Sequence, residues 1–73
     1  MNIQQLEARA TAIRAAMSAQ KAILDSYPRN AMNMVVEEVR VSPEYQRDKR
    51  TMDRLFAELR KVNTVLVKAR KAA

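Results

Sequence analysis

With 73 residues, a formal charge of +6 and no cysteine, histidine or glycine, the chain has room for one small domain. It lacks disulfides, thiolate and imidazole metal ligands, and the glycine-rich loops that cradle nucleotide phosphates. The missing histidine and cysteine also remove the groups that most readily titrate or attack near neutral pH, which argues against an enzyme and against any cofactor or small-molecule substrate.

A chain of this length buries only about 60% of the surface its unfolded form exposes, so it needs a further source of stability. With disulfides and metal sites set aside, self-association remains, and a homodimer is expected. The absence of cysteine suits a reducing, cytoplasmic setting. No apolar run approaches the roughly 20 residues that span a bilayer, so no membrane role is expected.

The first element is a helix over about residues 2–27. Ile3, Leu6, Ala10, Ile13, Met17, Gln20, Leu24 and Tyr27 step alternately by three and four residues, the spacing of one apolar stripe on a packed helix. Pro28 supplies the stop, because it disfavours helical geometry at Tyr27 and has no amide to donate. Arg9, Arg14 and Lys21 outnumber Glu7 near the start, a balance that also occurs in organelle-targeting peptides, but an ordinary first helix is the better reading. Gln20 is the polar member of the stripe. It is expected to sit solvated near one end; buried, it would fix the register or number of helices in a bundle. Ala8, Ala12, Ala15, Ala19 and Ala22 form a second stripe of small residues that would admit a neighbouring helix, although alanine also fills exposed helix.

Residues 30–41 read as a short helix or a strand. Met32, Val35, Val36 and Val39 suit one helical face with Asn30 as N-cap, whereas the β-branched Val35, Val36, Val39 and Val41 favour a strand. The helix is preferred, because a lone strand needs a partner and no hairpin turn is visible. Met32, Met34, Val35, Val36, Val39 and Val41 are more apolar side chains than so short an element can hide. Met34 or Val41 is therefore expected to stay partly exposed and to meet a protein partner.

Ser42-Pro43-Glu44 marks the next helix start: a hydroxyl cap, a proline where no amide is needed, and an acid that complements the helix dipole. Nothing interrupts this helix over about residues 43–72. Tyr45, Met52, Leu55, Leu59, Val62, Leu66, Ala69 and Ala73 carry its apolar seam, with Asp48 out of character, and Phe56 is expected on or beside a packing face like Tyr27 and Tyr45. The fold class is all-α: a long antiparallel, coiled-coil-like hairpin forming a single domain, which pairs with a second copy into a helical bundle.

Charge divides as +1 over residues 1–28, zero over 29–41 and +5 over 42–73. Arg47, Arg54, Lys61 and Lys68 recur every seven positions, about 10 Å apart on one line of the last helix, with Arg50 and Lys71 beside them. A nucleic acid backbone could lie along such a line. A solvated face opposite the seam is the plainer explanation, and nothing else suggests base recognition. Glu37-Glu38 is the one adjacent acid pair, and on a helix the two carboxylates diverge by about 100°.

In size and outline the chain is similar to two classes of small helical hairpin. One comprises RNA-binding dimers that use a basic helix face; the other, partner-binding chaperones and phage-encoded accessory proteins. The likeness is one of shape and assigns no residue a role. The functional expectation is a non-enzymatic protein-interaction module of bacterial or phage type, regulatory or accessory to a macromolecular partner. The alternative is a nucleic-acid-binding dimer using Arg47, Arg50, Arg54, Lys61, Lys68 and Lys71.

Overall fold

Helix α1 runs over Ile3–Asp25 and begins at a reciprocal cap. The Asn2 side chain accepts from the Gln5 amide at 2.8 Å, and the Gln5 side chain accepts from the Asn2 amide at 3.1 Å. Two of the orphan donors of the first turn are thereby satisfied. The computed structural model describes residues 2–72, so Ala73, the last position of the predicted seam, lies outside the described residues. At its other end α1 stops two residues before the expected limit. Pro28 pushes Tyr27 out of helical geometry, and Ser26 closes the last turn by donating from its amide and hydroxyl to the Ile23 carbonyl.

The middle segment corrects the expectation of one short helix or strand over 30–41. Arg29 and Val35 form an isolated antiparallel bridge, with the Asn30 amide donating to the Met34 carbonyl at 2.8 Å and Val36 to Pro28 at 3.4 Å. Asn33 adopts φ 61°, the left-handed conformation that asparagine tolerates better than most residues and that closes a three-residue hairpin loop. Asn30 is therefore not a helix cap. Its side-chain oxygen accepts from the amides of Met32 and Met34, at 2.9 and 3.1 Å, inside the turn. Only Glu37–Arg40 is helical here, a single turn, α2.

Helix α3 covers Pro43–Ala72, about 45 Å at 1.5 Å per residue. Ser42 accepts from the Tyr45 amide at 3.3 Å and donates to the Val39 carbonyl at 2.6 Å. One hydroxyl thus caps α3 and ties it to the turn before it. The Gln46 side chain reinforces the join by donating to the Arg40 carbonyl at 2.6 Å.

The two long helices pack antiparallel along their seams. Leu6, Ala10, Ile13, Val62 and Leu66 are buried, with Ile3, Met17, Leu55, Leu59 and Ala69 half-buried around them. Phe56 departs from the expected packing role and is 51% exposed. It lies one residue past Leu55, and a step of about 100° carries its ring out of the seam. The result is a rod of 50 × 17 × 17 Å with a radius of gyration of 16.0 Å, against about 11 Å for a compact domain of this length.

Candidate interaction surfaces

The polar interruptions of the two seams face each other. Gln20 is only 8% exposed, which overturns the expectation that it is solvated. It stays buried because its amide donates to the Asp48 backbone carbonyl at 2.7 Å, and a buried polar group with a partner escapes most of the desolvation penalty. The Tyr27 hydroxyl donates to the Asp48 carboxylate at 2.5 Å. The Tyr27 ring meets Tyr45 edge-to-face, with centroids 5.2 Å apart. Gln20, Tyr27, Tyr45 and Asp48 thus lock the end of α1 to the start of α3, just below the loop.

This knot affects Tyr27 ionisation. Its pKa is raised above the ordinary tyrosine value, chiefly because the hydroxyl proton is held by Asp48, with burial and the charge of Asp48 adding to the effect. A group whose folded-state pKa is raised contributes stability that is complete below the unfolded value, about 10 for tyrosine, and is lost as pH climbs through the folded value. In a Tyr45→Phe background, alkaline titration followed by tyrosinate absorbance should show Tyr27 ionising above pH 10. Unfolding should shift the transition back towards 10, and an unchanged midpoint would contradict the bond.

Above the knot, Arg29 braces the loop by donating to the Asn33 carbonyl and to Asp25, both at 3.1 Å. The six apolar residues singled out in this segment divide. Met32 is 79% exposed, Met34 54% and Val41 66%, while Val35, Val36 and Val39 are half-buried. Three apolar side chains therefore stand in solvent on a backbone pinned by hydrogen bonds.

Along α3 the basic residues Arg47, Arg50, Arg54, Lys61, Lys68 and Lys71 are all exposed. Among the described residues, only Arg47 of this set has an acid in range, Asp48 at 4.0 Å, a long contact to a carboxylate that also accepts from Tyr27. Glu37 and Glu38 both reach solvent in α2, and the nearest cation to Glu37 is Arg40 at 3.8 Å. Among the described residues no group of three or more acidic side chains is placed to hold a metal ion, and no helix is long and apolar enough to cross a membrane.

Among the described residues, grooves open on both flanks of the helix pair. Leu6, Arg9, Glu58, Lys61, Val62 and Val65 line one of about 530 Å³. A more polar groove of about 280 Å³ lies between Glu7, Thr11, Arg14, Asn63 and Arg70 on the other side, where Arg70 pairs with Glu7 at 3.3 Å. Sequence reasoning missed the first groove. Val65 and Ile23, which are 48% and 46% exposed, fall one helical step outside the seams, so a search for a single stripe passes over both. Comparison with protein-family models, curated proteins and solved structures finds no match to this chain.

Proposed function

We propose that the chain is a non-enzymatic protein-interaction module, a coiled-coil-like homodimer of hairpins that binds and modulates a macromolecular partner. It serves as a bacterial or phage-type accessory or regulatory protein in the cytoplasm. The observation that carries this reading is the exposure of Met32, Met34 and Val41 at the loop end. The loop of Met32 and Met34 is held by the Arg29–Val35 bridge and by the side chains of Asn30 and Arg29, and Val41 is held at the end of α2 by its amide, which donates to the Glu37 carbonyl. Apolar groups on a pre-formed backbone bind with little ordering cost, and methionine adapts to irregular pockets. Pairing of two copies is supported by the shape of the rod and by its thin core, in which no large side chain among the described residues is completely enclosed.

Met34→Lys tests the surface. Its side chain is already half in water, so melting should move by no more than about 0.5 kcal/mol, the usual range for surface substitutions. Capture of the cellular partner, identified by mass spectrometry with the unmodified protein, should fall at least tenfold. A melting point lowered by many degrees would instead make Met34 part of the core.

A second reading, binding of nucleic acid along Arg47, Arg54, Lys61 and Lys68, is favoured by the exposure of this row, although Asp53 and Glu58 interrupt the surface beside it. Phosphate contacts would make affinity fall with salt at a log–log slope of about −0.9 per phosphate on duplex DNA. The paired Arg54→Glu and Lys61→Glu substitutions would then abolish binding with helicity intact. Absence of any mobility shift with RNA or DNA at low salt removes this reading.

A further inference from the structure

We infer that the side of the hairpin bearing the Leu6–Val62–Val65 groove is the surface on which a second copy docks, with Ile23 of each copy seated in the groove of the other. This inference rests on the homodimer reading above and names the face that such a dimer would use.

Area is the first argument. The chain exposes 5612 Å², about 1000 Å² more than the roughly 4600 Å² usual for a folded protein of 8.4 kDa. One long side of a 50 × 17 Å rod offers about 850 Å² in projection, close to the ~800 Å² that each partner buries in a stable complex. A second hairpin laid along one side accounts for the excess.

The disposition of the apolar groups selects the side. Arg9 lines the groove, and Ile23 lies fourteen residues further along α1, four turns on and within about 40° of the same face. Ala16 is midway between them. The intervening residues on this side, Ala12, Ala16 and Ala19, are small and exposed, so a neighbouring backbone can come close. A two-fold axis crossing the rod at Ala16 carries Ile23 of each copy to the level of Arg9 in the other, about 10 Å from the axis. The exposed knob and the open groove are then matched twice by one symmetry operation, as an isologous interface requires.

Each groove holds two basic residues and one acid, and the two sides differ in charge along the edge of α1. Glu58 lines this groove with Arg9 and Lys61, so both signs are present at the contact. The opposite groove presents Arg14, with Arg70 already engaged by Glu7, and Lys21 continues that edge one heptad beyond Arg14. Two copies meeting there would bring like charges together. On the favoured side α1 meets α1, and Lys61 of the basic row on α3 stands at the rim of the groove beside Glu58.

The natural absence of cysteine gives a direct test. Ala16→Cys lies beside its own mate across the proposed axis, whereas Ser18→Cys, about 200° around the helix, points away. Under mild oxidation the first should form disulfide-linked dimer in high yield at micromolar protein, and the second at least tenfold less. Ile23→Glu should halve the solution mass to 8.4 kDa while helicity is retained, since Ile23 is already half exposed. If the unmodified protein is dimeric but Ala16→Cys does not cross-link and Ile23→Glu remains a dimer, this face is wrong and the homodimer reading survives. A monomeric unmodified protein overturns both.

Discussion

Leu66→Asp is expected to leave the chain largely unfolded at room temperature, seen as loss of the helical circular dichroism signal. Leu66 is 3% exposed and belongs to a cluster of five buried apolar side chains. Removing its isobutyl group forfeits about 3 kcal/mol of burial and leaves a cavity. Arg14 and Arg70 line the groove beside position 66, but reaching them draws the carboxylate out of the cluster, and held among Leu6, Ala10, Ile13 and Val62 its desolvation adds several kcal/mol more. A domain of this length has about 4–11 kcal/mol in all. Leu59→Asp strikes the same seam where it is only half-buried, so its effect should be smaller, and the order of the two variants checks where the core lies. Equal destabilisation would place the centre of the core elsewhere.

Gln20→Glu should be nearly as damaging at neutral pH despite the close match in shape. The amide nitrogen that donates to the Asp48 carbonyl at 2.7 Å becomes an oxygen, so two acceptors face each other with the Asp48 carboxylate nearby. A buried charge without its partner costs about 3–5 kcal/mol. The introduced acid must therefore take up a proton more readily in the folded state than in the unfolded one, raising its folded pKa above about 4.3. With a raised folded pKa, stability is complete below the unfolded value and is lost as pH climbs through the folded one. Relative to the unmodified protein, melting of the variant should be nearly restored at pH 4 and strongly lowered at pH 7. A variant equally stable at both would show that position 20 is solvated. Gln20→Leu supplies the complement: the seam becomes apolar and melting rises, at the expense of a single register.

The long helices were legible because their signals are local and repeated. The alternating three-and-four step survives in nearly every residue of both seams, and Ser42-Pro43-Glu44 marks the start of α3 by the chemistry of one turn. The reciprocal cap of Asn2 and Gln5 was passed over, although a cap residue followed three positions later by an amide is a start signal that the spacing offered. The loop was not legible, because it depends on one asparagine taking a conformation usually left to glycine. Asn33 does so at φ 61°, with the side chains of Arg29 and Asn30 holding the turn from its N-terminal arm, and no short-range pattern separates that use of Asn30 from a helix cap. Gln20 and Asp48 were each noticed as exceptions to a stripe. Their meeting depends on the register of the hairpin, which joins positions 28 residues apart. The groove beside Leu6 and Val62 is likewise a product of two helices and belongs to neither periodicity alone.

If this hairpin is half of a bundle, sedimentation equilibrium over a hundredfold range of concentration will show it. The expected result is a mass of twice 8.4 kDa at the upper concentrations, and a thermal midpoint that rises with concentration, because dimer formation stabilises the folded chain by mass action. A mass of 8.4 kDa throughout, with a midpoint independent of concentration, would contradict it.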